Sequence, residues 1–186
     1  MASHFLATRS NLWPVLKLII SVPRMEGVVN NSAVIFTEVD NTKPFTFTAK
    51  VQPEFTETGT YSAGVIYAYE NDTHCQKLCF EQDEYGDHRV VSVRTLGTSD
   101  DNNHQAITAP YVYMRLSSDG TTLGSYFSED GKIWRMARLY KNDFPEKLLI
   151  GISHRVLRIM NTPAYSPKVS LTDKPVADFR KGNIAE

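Results

Sequence analysis

The chain predicts an all-β fold, an antiparallel sandwich, on three observations. The stretch YVYMRLSSDGTTLGSYFSEDGKIWRMARLY, residues 111–140, reads as three strands joined by two Asp-Gly turns, Asp119-Gly120 and Asp130-Gly131. Asp-Gly between alternating segments marks a hairpin, because tight turns need residues that tolerate positive φ. Turn residues then recur about every 8–12 residues along the whole chain, and no run keeps a helical period for three turns. Finally, 9 Tyr and 9 Phe, with many Val and Thr, favour strands over helices.

Taken in order, residues 3–13 read as an arm or edge strand, and residues 16–22 as the first clear strand, closed by Pro23. Asn30-Asn31 opens a turn into a β-rich run at 32–38, and Asp40-Asn41 with Pro44 makes the next turn. Over 45–51, Phe45, Phe47 and Ala49 alternate with Thr46, Thr48 and Lys50, the period of a half-buried strand. Residues 62–70 carry Gly64, Ile66 and Ala68 on one face and Val65, Tyr67 and Tyr69 on the other. A strand at 74–81 follows, then the turn Tyr85-Gly86-Asp87, a strand at 89–96, and an expected polar loop over 97–105. In the first strand of the central stretch, Val112, Met114 and Leu116 oppose Tyr111, Tyr113 and Arg115. Strands at 148–153 and 169–172 flank a loop with Pro163 and Pro167, and the tail 176–179 is expected to end a sheet. No repeat or linker divides the chain. One domain over residues 1–186 is expected, with 1–30 as an arm or edge strand.

A formal net charge of -1 gives no field that would draw the chain to nucleic acid or an anionic membrane. The apolar run 12–22 is broken by Trp13-Pro14 and Lys17 and lacks a small-residue cleavage site, so cytoplasmic location is expected over secretion. Cys75 and Cys79 lie four residues apart on one strand. Their Cα atoms would stand roughly 13 Å apart, beyond the reach of a disulfide. Two free thiols in a reducing compartment are expected.

Aromatic residues alternating with charges suit a saccharide, since rings stack on pyranose faces and charged groups bond hydroxyls directionally. The polar faces supply Tyr67, Tyr69, Lys77, Glu81, Arg94, Tyr111, Tyr113 and Arg115 as candidate ligand-binding residues. Hydrolysis would require two carboxyl groups about 5–9 Å apart. Glu81-Gln82-Asp83-Glu84 offers Glu81 and Asp83 in alternation, but Glu84 falls one position early. The loop 99–104, SDDNNH, has oxygen and imidazole groups that could hold a cation, though such runs more often serve turns. No metal or cofactor is expected. His74, His88 and His154 are isolated in sequence and read as turn or surface residues.

AGVIY (63–67), KLCFE (77–81), SVRT (92–95), Ser99-Asp100, YVYMRL (111–116) and SEDGKIW (128–134) occur in that order. Together they resemble the YesU-type, or regulation-of-enolase type, domain family of the concanavalin A-like lectin/glucanase superfamily, over residues 33–179. Two departures, Cys79 for a small residue and Asp101 for an aromatic, fall by the expected ligand face. The resemblance implies a jelly-roll sandwich of two curved sheets. The expected function is non-catalytic binding of a carbohydrate or small metabolite on the concave sheet. The alternatives are a glycoside hydrolase or lyase using Glu81 and Asp83, and a protein-interaction or regulatory module.

Overall fold

A computed structural model describes residues 18–21, 33–57, 59–153 and 169–184. Alternation decides the architecture. Among the described residues twelve strands form: β1 (Leu18–Ser21), β2 (Ala33–Asp40), β3 (Phe45–Val51), β4 (Ala63–Asn71), β5 (His74–Gln82) and β6 (His88–Leu96) come first. They are followed by β7 (Thr98–Ala106), β8 (Val112–Ser118), β9 (Thr122–Ser128), β10 (Arg135–Lys141), β11 (Lys147–Ser153) and β12 (Val169–Thr172). The seven-stranded sheet runs β1-β2-β11-β4-β5-β6-β7, and the five-stranded sheet β10-β9-β8-β3-β12. All pairings are antiparallel. The fold is an all-β jelly-roll sandwich, and no helix occurs among the described residues.

One core lies between the sheets. The five-stranded sheet contributes Phe45, Phe47, Ala49, Val112, Met114, Leu116, Leu123 and Phe127, and the seven-stranded sheet contributes Ile66, Ala68, Leu78, Phe80, Val90, Leu148 and Ile150. Each large side chain removed from water here contributes about 1.5–3 kcal/mol. Apart from the tail, the expected strands recur with ends shifted by at most two residues, and the apolar faces read over 45–51, 62–70 and 112–116 line the core.

The Asp-Gly turns form as the sequence implies. Gly120 and Gly131 take φ of 91° and 75°. Asp119 Oδ1 accepts the amides of Thr121 (2.8 Å) and Thr122 (2.7 Å). Asp130 Oδ1 accepts those of Lys132 (2.7 Å) and Ile133 (2.9 Å), while Ser128 Oγ accepts the Gly131 amide at 2.9 Å.

Two expectations are corrected. Residues 97–105 are no loop: β7 pairs with β6 along its length, joining the sheet by backbone hydrogen bonds although its side chains are almost all exposed. The tail 176–179 adds no strand; a single bridge, Asp178 to Asn183, folds it back on itself. The arm at 3–13, Pro23, the Asn30-Asn31 turn, His154, Pro163 and Pro167 lie outside the described residues.

Candidate functional site

The face of the seven-stranded sheet turned away from the core is set by register. Across it runs the row Phe36, Gly151, Tyr67, Lys77, Val93, Asp101, each residue opposite the next on the neighbouring strand. Beside it, Val65, Cys79, Val91 and Asn103 form a second row, and Ala63, Glu81 and Arg89 a third. Ala63, Val65, Cys79, Val91 and Val93 pack as an apolar floor with Tyr67 against it. Gly151 has a specific use: a Cβ there would come 2.3 Å from the Phe36 ring, so the glycine lets that ring lie across β11. Phe36 then meets Tyr67 edge-on at 5.9 Å and stacks on Tyr69 at 5.3 Å.

Polar groups stand on this floor. Burial pushes the Glu81 carboxyl up to about 7; Lys77 opposes the shift and Asp101 reinforces it, with no hydrogen bond from a described residue to hold the charge. The Tyr69 hydroxyl donates to Asp72 Oδ1 at 2.8 Å. Burial and that bond push it up to about 12. Burial also raises the Tyr67 hydroxyl and both thiols, Cys79 to about 12, so both cysteines are free, neutral thiols.

The candidate residues read from sequence resolve into three places. Tyr67, Tyr69, Lys77 and Glu81 share the face just described. Arg94 does not join them. It lies opposite Gln76, while Val93 lies opposite Lys77, so strand alternation turns Arg94 to the inner side. There its guanidinium bonds Asp143 Oδ2 at 2.5 Å and lies 4.3 Å above the Tyr140 ring. Tyr111, Tyr113 and Arg115 belong to the outward side of the five-stranded sheet, across the core from Lys77 and Glu81. The Tyr111 and Tyr113 rings meet edge-on at 6.0 Å, with Lys50 Nζ 3.6 Å from the Tyr111 centroid. Arg115 is 6% exposed; it donates to Thr48 Oγ1 (2.9 Å) and Gly182 O (2.5 Å) and stacks on Trp134 at 3.6 Å. Burial draws its guanidinium down to about 10, which leaves it charged at neutral pH.

Asp83 is committed to a turn. Its Oδ1 accepts the amides of Tyr85 and Asp87, both at 2.9 Å, and its Oδ2 takes Arg89 Nε at 2.6 Å. Burial raises this carboxyl, but the two amides and the guanidinium together hold it below the usual carboxylate range. The 99–104 segment divides its oxygen groups by alternation. Asp101 and Asn103 share the Lys77 face, whereas Asp100 pairs with Arg138 and His104 Nε2 lies 3.3 Å from Ser92 Oγ. Among the described residues no group of three His, Cys, Asp or Glu is placed to hold a metal. Two histidines have more contacts than their isolation in sequence implies. His74 bridges Glu70 (2.6 Å) and Asp143 (3.1 Å) and stacks on Phe144, and His88 stacks on Phe55 at 3.7 Å. Asp101 does lie by the Lys77 face, as the motif comparison implied, whereas Asp143 was not legible beforehand, since only loop packing brings it to Arg94 and His74.

These features define an all-β sandwich with a partly polar, aromatic-edged sheet face. The chain belongs to the family described as "Protein of unknown function (DUF1349)", whose model matches residues 22–155. It is similar to the solved structure of a functionally unknown protein from Saccharomyces cerevisiae, with 22% identity, TM-score 0.61, and 77% of this chain and 76% of that one covered. It is also similar to the GH43 BlXynB protein from Bacillus licheniformis, at 14% identity and TM-score 0.50 over 66% of this chain. The chain spans 29% of that protein's length. At these identities the likeness is one of fold. No curated protein matches the chain. No helix among the described residues is long and apolar enough to cross a membrane.

Proposed function

We propose that the protein is a non-catalytic binding domain for a carbohydrate or small metabolite, of the YesU type within its family. The ligand lies on the Tyr67, Lys77 and Glu81 face of the seven-stranded sheet. The observation that carries this reading is the Glu81 carboxyl, partly buried beside an apolar floor and held by no hydrogen bond from a described residue. The carboxyl is half-buried and has no donor among the described residues, which leaves its oxygens open to a ligand hydroxyl. Tyr67 and Tyr69 add ring faces and Lys77 a donor on the same side. Hydrolysis by Glu81 with Asp83 is disfavoured, because Asp83 is occupied by two amides and a guanidinium. The neutral thiols fit a reducing compartment, the cytoplasm.

The test is a thermal-shift screen with oligosaccharides, sugar acids and amino sugars on wild type, Glu81→Gln, Lys77→Ala and Tyr113→Ala. A ligand at about 100 times its dissociation constant adds roughly 2.7 kcal/mol of stability. The expected result is a shift lost in the first two variants and kept in Tyr113→Ala, which lies on the other sheet. A shift lost in Tyr113→Ala and kept in Glu81→Gln would move the site to the five-stranded sheet, and no shift with any compound would leave the interaction-module alternative.

A further inference from the structure

Tyr61 is the one residue other than glycine with positive φ among the described residues, at 60°. For a bulky side chain this left-handed conformation is an outlier, because Cβ crowds the following carbonyl. Full burial does not account for it, since the residue is 52% exposed. The backbone alone fixes the position: the Tyr61 amide donates to Gln82 O at 2.7 Å, and the Gln82 amide donates to Ser62 O at 3.0 Å. Glycine or asparagine would make the same backbone bonds with less strain. A ring is therefore held at a cost that the backbone bonds at this position do not call for.

Its place is informative. Ala63 lies opposite Glu81, and Tyr61 stands two residues before Ala63, bonded to the residue after Glu81. The half-exposed residue thus stands at the end of β4 beside Glu81, where the outward face ends. Tyr85, 84% exposed, occupies the adjoining turn, its amide bonded to Asp83. We propose that Tyr61 is a ligand-contacting residue that closes this end of the face and stacks on the pyranose ring whose hydroxyls reach Glu81. This rests on the ligand face proposed above and adds the ligand class: a neutral oligosaccharide whose apolar ring face meets Tyr61. The left-handed backbone sets the direction in which the side chain leaves the chain, so that part of the ordering precedes binding.

Calorimetric titration of cellotriose, xylotriose and mannotriose into wild type, Glu81→Gln, Tyr61→Gly, Tyr61→Asn and Tyr61→Phe tests it, with a melt of each unliganded protein. For a sugar that wild type binds and Glu81→Gln does not, Tyr61→Gly and Tyr61→Asn should weaken binding about tenfold while melting at or above wild type. Tyr61→Phe, which keeps the ring, should stay within about threefold. Wild-type affinity in Tyr61→Gly, with Glu81→Gln still deficient, overturns the role of Tyr61 and spares the face. A lower melting point in Tyr61→Gly overturns it too, by revealing the ring as packing. Binding of none of the three sugars by wild type overturns the ligand class and the role of Tyr61 together.

Discussion

Glu81 links the site to stability through pH. Its native value near 7 lies above the ordinary carboxyl value of 4.5 because burial penalises the charge. Between those values the folded state binds more protons than the unfolded one, so stability falls as pH rises through that window. Below it both states are protonated and the penalty is absent; above about 7 it is complete. Glu81→Gln should therefore melt higher than wild type at pH 8, by on the order of 1–3 kcal/mol, and the gap should close by pH 4.5. Melting curves across that range check it, and a constant offset would remove burial as the cause. Asp83 has the opposite sign. Its lowered native value means that its contribution is present above the ordinary carboxyl range and is lost as pH falls below it. Asp83→Asn should lower the melting midpoint at pH 7 and lose that effect in acid. Residue identity was legible in the sequence, but direction was only half so. The alternation in 74–81 correctly put Lys77 and Glu81 together, whereas Arg94 needed the β5–β6 register, which pairs Lys77 with Val93.

The last described segment is an element that binds without becoming a strand. Arg115 bonds Gly182 O from below, and the Tyr126 hydroxyl donates to Phe179 O at 2.9 Å. Gly182 has φ of 68°, and a Cβ there would meet the Tyr126 ring at 2.4 Å, so a side chain is excluded. Arg115→Ala should destabilise by about 2–4 kcal/mol, since it removes charged hydrogen bonds and buried stem packing. It should also free residues 177–183 to hydrogen exchange while leaving ligand binding on the other sheet unchanged. Equal protection in the variant would show that Tyr126 and Val176 hold the segment alone. On the seven-stranded sheet, Gly151→Ala should cost about 1–3 kcal/mol, because its Cβ collides with Phe36 and with the Ile35 carbonyl. Elements with alternating apolar residues were read almost to the residue, as β3 and β12 show. Strand β7 was missed for a physical reason: in TSDDNNHQA only His104 is partly buried, so backbone pairing leaves no hydrophobic period to detect.

For the molecule as a whole, strand order rather than strand identity separates the two outward faces. β2 pairs with β11 and β3 with β12, contacts that close very long loops. No local pattern encodes them, which is why Tyr113 and Tyr67 read as one site in sequence and stand on opposite sides in space. The same topology implies slow folding, on the order of milliseconds to seconds, which stopped-flow fluorescence of the Trp134 signal would measure. Near β6 and β10 the sheets are joined by polar pairs: Arg138 of β10 bonds Asp100, and Arg94 bonds Asp143. Strand β7 has a further consequence. Among the described residues it ends the seven-stranded sheet, and an end strand presents along its border backbone amides and carbonyls that invite another chain to add on. Two adjacent aspartates and two asparagines on that border repel or hydrate an incoming strand. The residues that made β7 unreadable are thus of the kind that blunt a sheet edge. Replacing Asp101 and Asn103 with valine should leave the fold in place and produce concentration-dependent oligomers in sedimentation velocity, beyond any that wild type forms.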